Sequence, residues 1–173
     1  ELFHKVGYLV ALRLNSTSEQ NILYNLLKET EEKKKSELKS YMDEKIKESL
    51  KSKEIIESLK SKESLGKLEY QENSKDIHKI LLLFNIISMM EIEDESVRFP
   101  FDKYKENGTQ WSLEHIHAQN AELNTNDVHN IHSLSNLALL DTKHNSALGN
   151  STFNEKRKTI IEKDQKGEFI PYC

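Results

Sequence analysis

Five of the seven histidines fall within thirty positions: His115, His117, His129, His132 and His144. Asparagine is dense over the same stretch. So much imidazole and carboxamide is unusual for a packed core and suits a polar site that binds a metal or moves protons. Glu114 stands directly before His115, which sets a carboxylate beside an imidazole. A Glu-His pair alone is frequent by chance, so its weight comes from joining it to Asn136 and Asn145. Adjacent residues on a strand point to opposite faces. Both serve one site only where the strand end twists, or where a substrate is gripped between them. His117 shares the face of His115 if the strand continues, and is a candidate substrate contact, with metal ligation and a plain loop position as the other readings. His129 and His132 read as solvated loop residues. His144 reads as exposed or as a neighbour of the site, and Asn150 as closing a turn. Lys156, Arg157 and Lys158 form the basic cluster closest in sequence. They are either an exposed helix face or phosphate contacts, and Arg157 has the better geometry for bidentate contact.

The elements that must position these residues follow from pattern. Trp111 to Ile116 reads as a short strand, and Ser135 to Leu140 as a second, mostly buried one. Asp141 or Thr142 can cap a short helix carrying His144, Asn145 and Leu148, with Gly149 placed to end it. Thr152-Phe153-Asn154-Glu155 has the capping-box pattern and predicts a helix to about Lys163. Leu137, Leu139, Leu140, Leu148 and Phe153 are the natural core of this small part.

The first hundred residues read as helical. Leu2, Val6, Leu9 and Val10 recur at helical spacing, as do Ile22, Leu23, Leu26 and Leu27. Asn15 to Ser18 is a polar break in which Ser16 or Thr17 can cap the next helix. From Glu29 to Lys67 the chain is dense in Lys, Glu and Ser. Leu38, Met42, Ile46 and Leu50 recur every four residues, a narrow apolar stripe on a long charged helix. Leu65-Gly66 marks a turn, and an apolar helix follows from about Asp76 to Met90. Composition changes near Phe99-Pro100-Phe101, which places a boundary at about residue 105: a helical domain over 1–105 and a second domain over 106–173. The fold class expected is mainly α with a small α+β part.

A chain of 173 residues can bury a real core, and 31% charged residues give it a well-solvated surface. The formal net charge of -4 argues against strong nonspecific nucleic-acid binding, but not against an enzyme whose metal supplies the local positive charge. The one cysteine, Cys173, rules out an internal disulfide and a cysteine zinc site, and points to an intracellular, cytoplasmic setting. No apolar run is long enough to span a bilayer. The chain begins at Glu1 rather than Met, so a fragment of a longer protein is expected.

Trp111-Ser-Leu-Glu-His-Ile-His-Ala-Gln119, Leu134-Ser-Asn-Leu-Ala-Leu-Leu-Asp-Thr-Lys-His-Asn-Ser-Ala-Leu-Gly-Asn150 and Ser151-Thr-Phe-Asn-Glu-Lys-Arg157 resemble the C-terminal HNH domain of GmrSD-type restriction endonucleases. Leu2-Phe-His-Lys-Val-Gly-Tyr8 and Arg98-Phe-Pro-Phe-Asp102 resemble, less specifically, the helical region preceding that domain. Ala118 departs from the proline common there. The resemblance implies a ββα-metal finger, with His115 as general base, Glu114 and Asn145 as ligands of Mg²⁺ or Mn²⁺, and Asn136 as the residue that ties the loop and orients the base. It implies DNA phosphodiester hydrolysis in a restriction or anti-phage defence system. It also implies a missing N-terminal regulatory domain as partner, and no phosphate-binding Gly-rich loop occurs here. Two other readings stay open: a non-catalytic metal-binding module for nucleic-acid or protein contact, and a nuclease directed at RNA.

Overall fold

The structure is a computed structural model, which describes residues 1–12, 19–50, 61–92, 98–104, 111–117, 131–141 and 148–171. Three helices open it: α1 (Leu2–Leu12), α2 (Glu19–Thr30) and α3 (Lys35–Ser49). The expected cap at Ser16 or Thr17 lies outside the described residues. The expected charged helix with its apolar stripe is α3, which carries Leu38, Met42 and Ile46, and residues 51–60 lie outside the described residues. The chain leaves helix after Thr30 and restarts at Lys35, where the Glu37 carboxylate accepts the Lys34 N–H at 3.0 Å. A side-chain acceptor for that otherwise unpaired donor makes the restart favourable. α3 then packs on α1 and buries Met42 with Leu9 and Leu26. Tyr41 donates to Glu29, and Lys45 pairs with the same carboxylate at 3.1 Å, tying α3 to α2.

After one turn of helix, α4 (Lys62–Leu65), the chain bends at Gly66 and enters α5 (Tyr70–Met90). α5 starts six residues before the apolar pattern does. Asn73 interrupts it with φ -117°, ψ 19°, and its side chain accepts the Glu69 N–H at 3.2 Å, serving as a local cap inside the element. Ile77, Leu81, Leu82, Ile86 and Met89 form the buried stripe. At roughly 1.5–3 kcal/mol per fully buried aliphatic side chain, that stripe is a leading source of stability. Asn85 lies fully buried within it and donates to the Leu81 carbonyl at 2.8 Å.

A short helix, α6 (Phe101–Tyr104), leads to the strands β1 (Ser112–His115) and β2 (Leu137–Leu140), which pair antiparallel with His115 opposite Leu137 and Glu114 opposite Ala138. A single 3₁₀ turn, Leu134–Asn136, precedes β2 and takes up the start of the expected second strand. The last helix, α7 (Phe153–Gln165), has the expected capping box at Thr152 and Glu155. Gly149 takes φ 44°, the left-handed conformation suited to ending a helix, next to buried Leu148. Most of the short helix expected before it, with Asn145 and His144, lies outside the described residues.

The hairpin has two covered faces. Leu113, Leu137 and Leu139 face the main core with α5, and Ala138 and Leu140 face Leu148 and Ile160 on the α7 side. Residues 105–110, around the expected domain boundary, are not described, and one core draws on residues on both sides of them. Phe99, Tyr104 and Trp111 meet edge-on or tilted at 5.5–6.3 Å, and the Trp111 indole N–H donates to the Lys103 carbonyl at 3.1 Å. The chain is thus mainly helical with a small two-stranded antiparallel sheet.

Candidate functional site

Glu114 and His115 leave β1 on opposite faces, as strand geometry requires. The His115 ring enters the α5 side, 7% exposed. It meets the Tyr70 ring edge-on at 4.8 Å, and its Nε2 lies 3.4 Å from Nδ1 of His132. Tyr70 in turn stacks on His132 at 6.4 Å. This arrangement follows from the backbone. The Tyr70 N–H donates to the His132 carbonyl at 2.8 Å, the Leu134 N–H donates to the Leu68 carbonyl at 3.2 Å, and Glu69 bridges Ser133. The start of α5 therefore pairs with the segment before β2 and brings His132 to His115.

Burial, then the positive fields of His132 and Lys156, holds the His115 imidazole below its ordinary range. The ring is therefore neutral near pH 7, the state that can accept a proton.

The Glu114 carboxylate faces the other side, toward α7. Its Oε1 lies 2.5 Å from the Lys156 ammonium, which also donates to the His115 carbonyl at 2.7 Å. Lys156 is 3% exposed. It does not share the exposed face of its neighbours Arg157 and Lys158, so its place in a solvent-facing basic cluster is corrected. Sequence reasoning could not see this, because the partner of Lys156 lies 42 positions earlier.

His117 is not on the face of His115. The strand stops at His115, the chain bends at Ile116–His117, and the His117 ring stacks on Phe153 of α7 at 4.8 Å and 18°. The bend is held by Asn136, whose Oδ1 accepts the His117 N–H at 2.8 Å and whose Nδ2 donates to the carbonyls of His117 and Ile131 at 3.2 and 2.8 Å. Asn136 is buried and engaged with main chain at three points, so it shapes the loop rather than facing a substrate.

His132, read as a solvated loop residue, is instead a member of the His115 cluster, and Gln71 Nε2 lies 3.4 Å from its other ring nitrogen. No local pattern marks it, because the contact is made by α5, some sixty residues upstream. Asn145, His129 and His144 lie outside the described residues. Among the described residues no three His, Cys, Asp or Glu side chains gather as a metal-ligand cluster, and no helix is long and apolar enough to cross a membrane.

The site thus sets a neutral imidazole and a cation-bearing carboxylate on successive residues of a hairpin strand whose loop is braced by an asparagine. A family model described as GmrSD restriction endonucleases, C-terminal domain, matches residues 11–167. This chain belongs to that family, and the membership points to the nuclease part of a restriction system. The match takes in α5 and the hairpin together, so it covers far more than the last third, where the motifs are densest. No curated protein and no solved structure matches the chain.

Proposed function

We propose that this chain is a metal-dependent HNH endonuclease domain that hydrolyses DNA phosphodiester bonds in a restriction or anti-phage defence protein, alongside an N-terminal regulatory domain. The observation that carries the reading is His115: a buried imidazole, kept neutral, adjacent to a carboxylate that already bears a cation.

The Glu114 carboxylate fits a metal by its chemistry. It is an oxygen donor on β1, and its pairing with the Lys156 ammonium supports a reading in which this carboxylate carries positive charge. Glu114 with Asn145 would hold Mg²⁺ or Mn²⁺, hard cations that prefer oxygen ligands. Once bound, the ion would supply charge stabilisation at a phosphate oxygen and at the leaving 3′ oxygen.

The chain's own residues do the rest. His115 accepts the proton of the attacking water on its imidazole, and His132 and Tyr70 fix the ring's direction. Asn136 keeps the loop ends together, which sets where β1 stops and where the base sits. Arg157, exposed one residue beyond Lys156, is the cation proposed to meet a phosphate, and His117, whose ring stacks on Phe153, is a second substrate contact. Together these parts would make up a ββα-metal site, with Asn145 as the second ligand of the ion.

The test is cleavage of DNA, with RNA as a parallel substrate, in Mg²⁺ or Mn²⁺ and in chelator. Metal-dependent DNA cleavage by the wild type and its loss in a folded His115→Ala variant are expected. Undiminished cleavage by that variant would overturn the mechanism.

A further inference from the structure

We propose that Lys156 is a resident counter-cation of Glu114 that competes with the divalent metal, and so sets how weakly the free protein holds that ion. The inference rests on the reading of Glu114 as a metal ligand.

Three observations carry it. The Lys156 side chain is 4% exposed and that of Glu114 15%, with 2.5 Å between ammonium and carboxylate. A buried ammonium is costly unless paired and hydrogen-bonded, and here it is both, since the His115 carbonyl accepts a second hydrogen bond from it at 2.7 Å. The amine therefore spans two successive site residues and is not presented to an incoming phosphate. Lys156 is also the fourth residue of α7, in the first turns of a helix, where the helix dipole favours acids over cations. Its placement serves Glu114 and not the helix.

A metal ion on the same carboxylate would lie a few ångströms from a fixed ammonium. In a partly buried setting that repulsion is large compared with thermal energy. The ion must displace the ammonium or share the carboxylate with it. A phosphate arriving with the ion offsets both cations, which makes metal retention dependent on substrate.

The test is a Mn²⁺ titration of the full chain by electron paramagnetic resonance, with wild type, Lys156→Met and Lys156→Gln. Gln removes the charge and retains an amide donor, one atom shorter than the lysine chain. Both variants should bind Mn²⁺ at least about tenfold more tightly, and adding Glu114→Gln should abolish the gain. Equal or weaker Mn²⁺ affinity in a folded variant overturns the inference and leaves the metal reading standing. Binding by neither wild type nor variant at millimolar Mn²⁺ overturns the metal reading, and the inference with it. Should both variants misfold, the wild type decides: saturation with Mg²⁺ should move the Lys156 ¹⁵Nζ resonance, and an unmoved resonance overturns the inference.

Discussion

The side-chain amide of Asn136 holds both main-chain polar groups of His117, accepting its N–H at 2.8 Å and donating to its carbonyl at 3.2 Å. A third bond, to the Ile131 carbonyl at 2.8 Å, ties in the other end of the loop. Three hydrogen bonds of a buried group, at about 1 kcal/mol each, predict that Asn136→Ala lowers unfolding stability by about 2–3 kcal/mol. Urea denaturation measures this directly. Asn136→Asp should cost more, because it sets a carboxylate against two carbonyl oxygens. A midpoint unchanged in both variants would contradict the brace.

His115 predicts the shape of a pH profile. Its imidazole is held below the ordinary value of 6.5, by burial before the nearby charges. Cleavage that needs the neutral ring should be flat through pH 7 and fall only on acidification below 6.5. A rate that halves between pH 8 and 7 would contradict this.

Stability should follow the same direction. His4 and His78 are also depressed, chiefly by burial, and the Phe99 N–H donates to His4 Nε2 at 3.1 Å, which requires the neutral ring. The unfolded chain then binds more protons than the folded one below pH 6.5, so this contribution is complete above that value and lost as pH falls toward the folded values. The melting temperature should drop between pH 7.5 and 5.5, before the carboxylates titrate. Substituting His78 by Gln should reduce the drop.

Much of this architecture is legible locally, and the exceptions have a common cause. The capping box at Thr152–Glu155, the turn at Gly66, the left-handed Gly149 and the strands around Glu114 and Leu139 depend on neighbours within a few residues, and pattern reveals them. The early start of α5, the burial of Lys156 and the approach of His132 to His115 depend on partners some forty to sixty residues away. Charge pattern assigns such residues to solvent because it cannot see the carboxylate or ring awaiting them. His117 misleads differently: alternation extrapolates the strand, and a side chain from the far end of the loop stops it.

Gly7 is set by a close approach. A Cβ there would come within 2.2 Å of the Phe101 ring. Alanine in a helix ordinarily gains up to about 1 kcal/mol over glycine. Here the displaced ring outweighs that gain, and Gly7→Ala should destabilise by about 1–3 kcal/mol in thermal or urea unfolding. A stabilised variant would contradict the packing of α6 on α1.

The proposed mechanism needs a metal held between Glu114 and Asn145. Crystals of the protein with Mn²⁺ and a DNA duplex, measured for anomalous scattering at the manganese edge, answer this most directly. One manganese peak is expected within bonding distance of the Glu114 carboxylate and the Asn145 side chain, with the Lys156 ammonium shifted from its 2.5 Å contact. Manganese bound only elsewhere, with Glu114 still paired to Lys156, would contradict it.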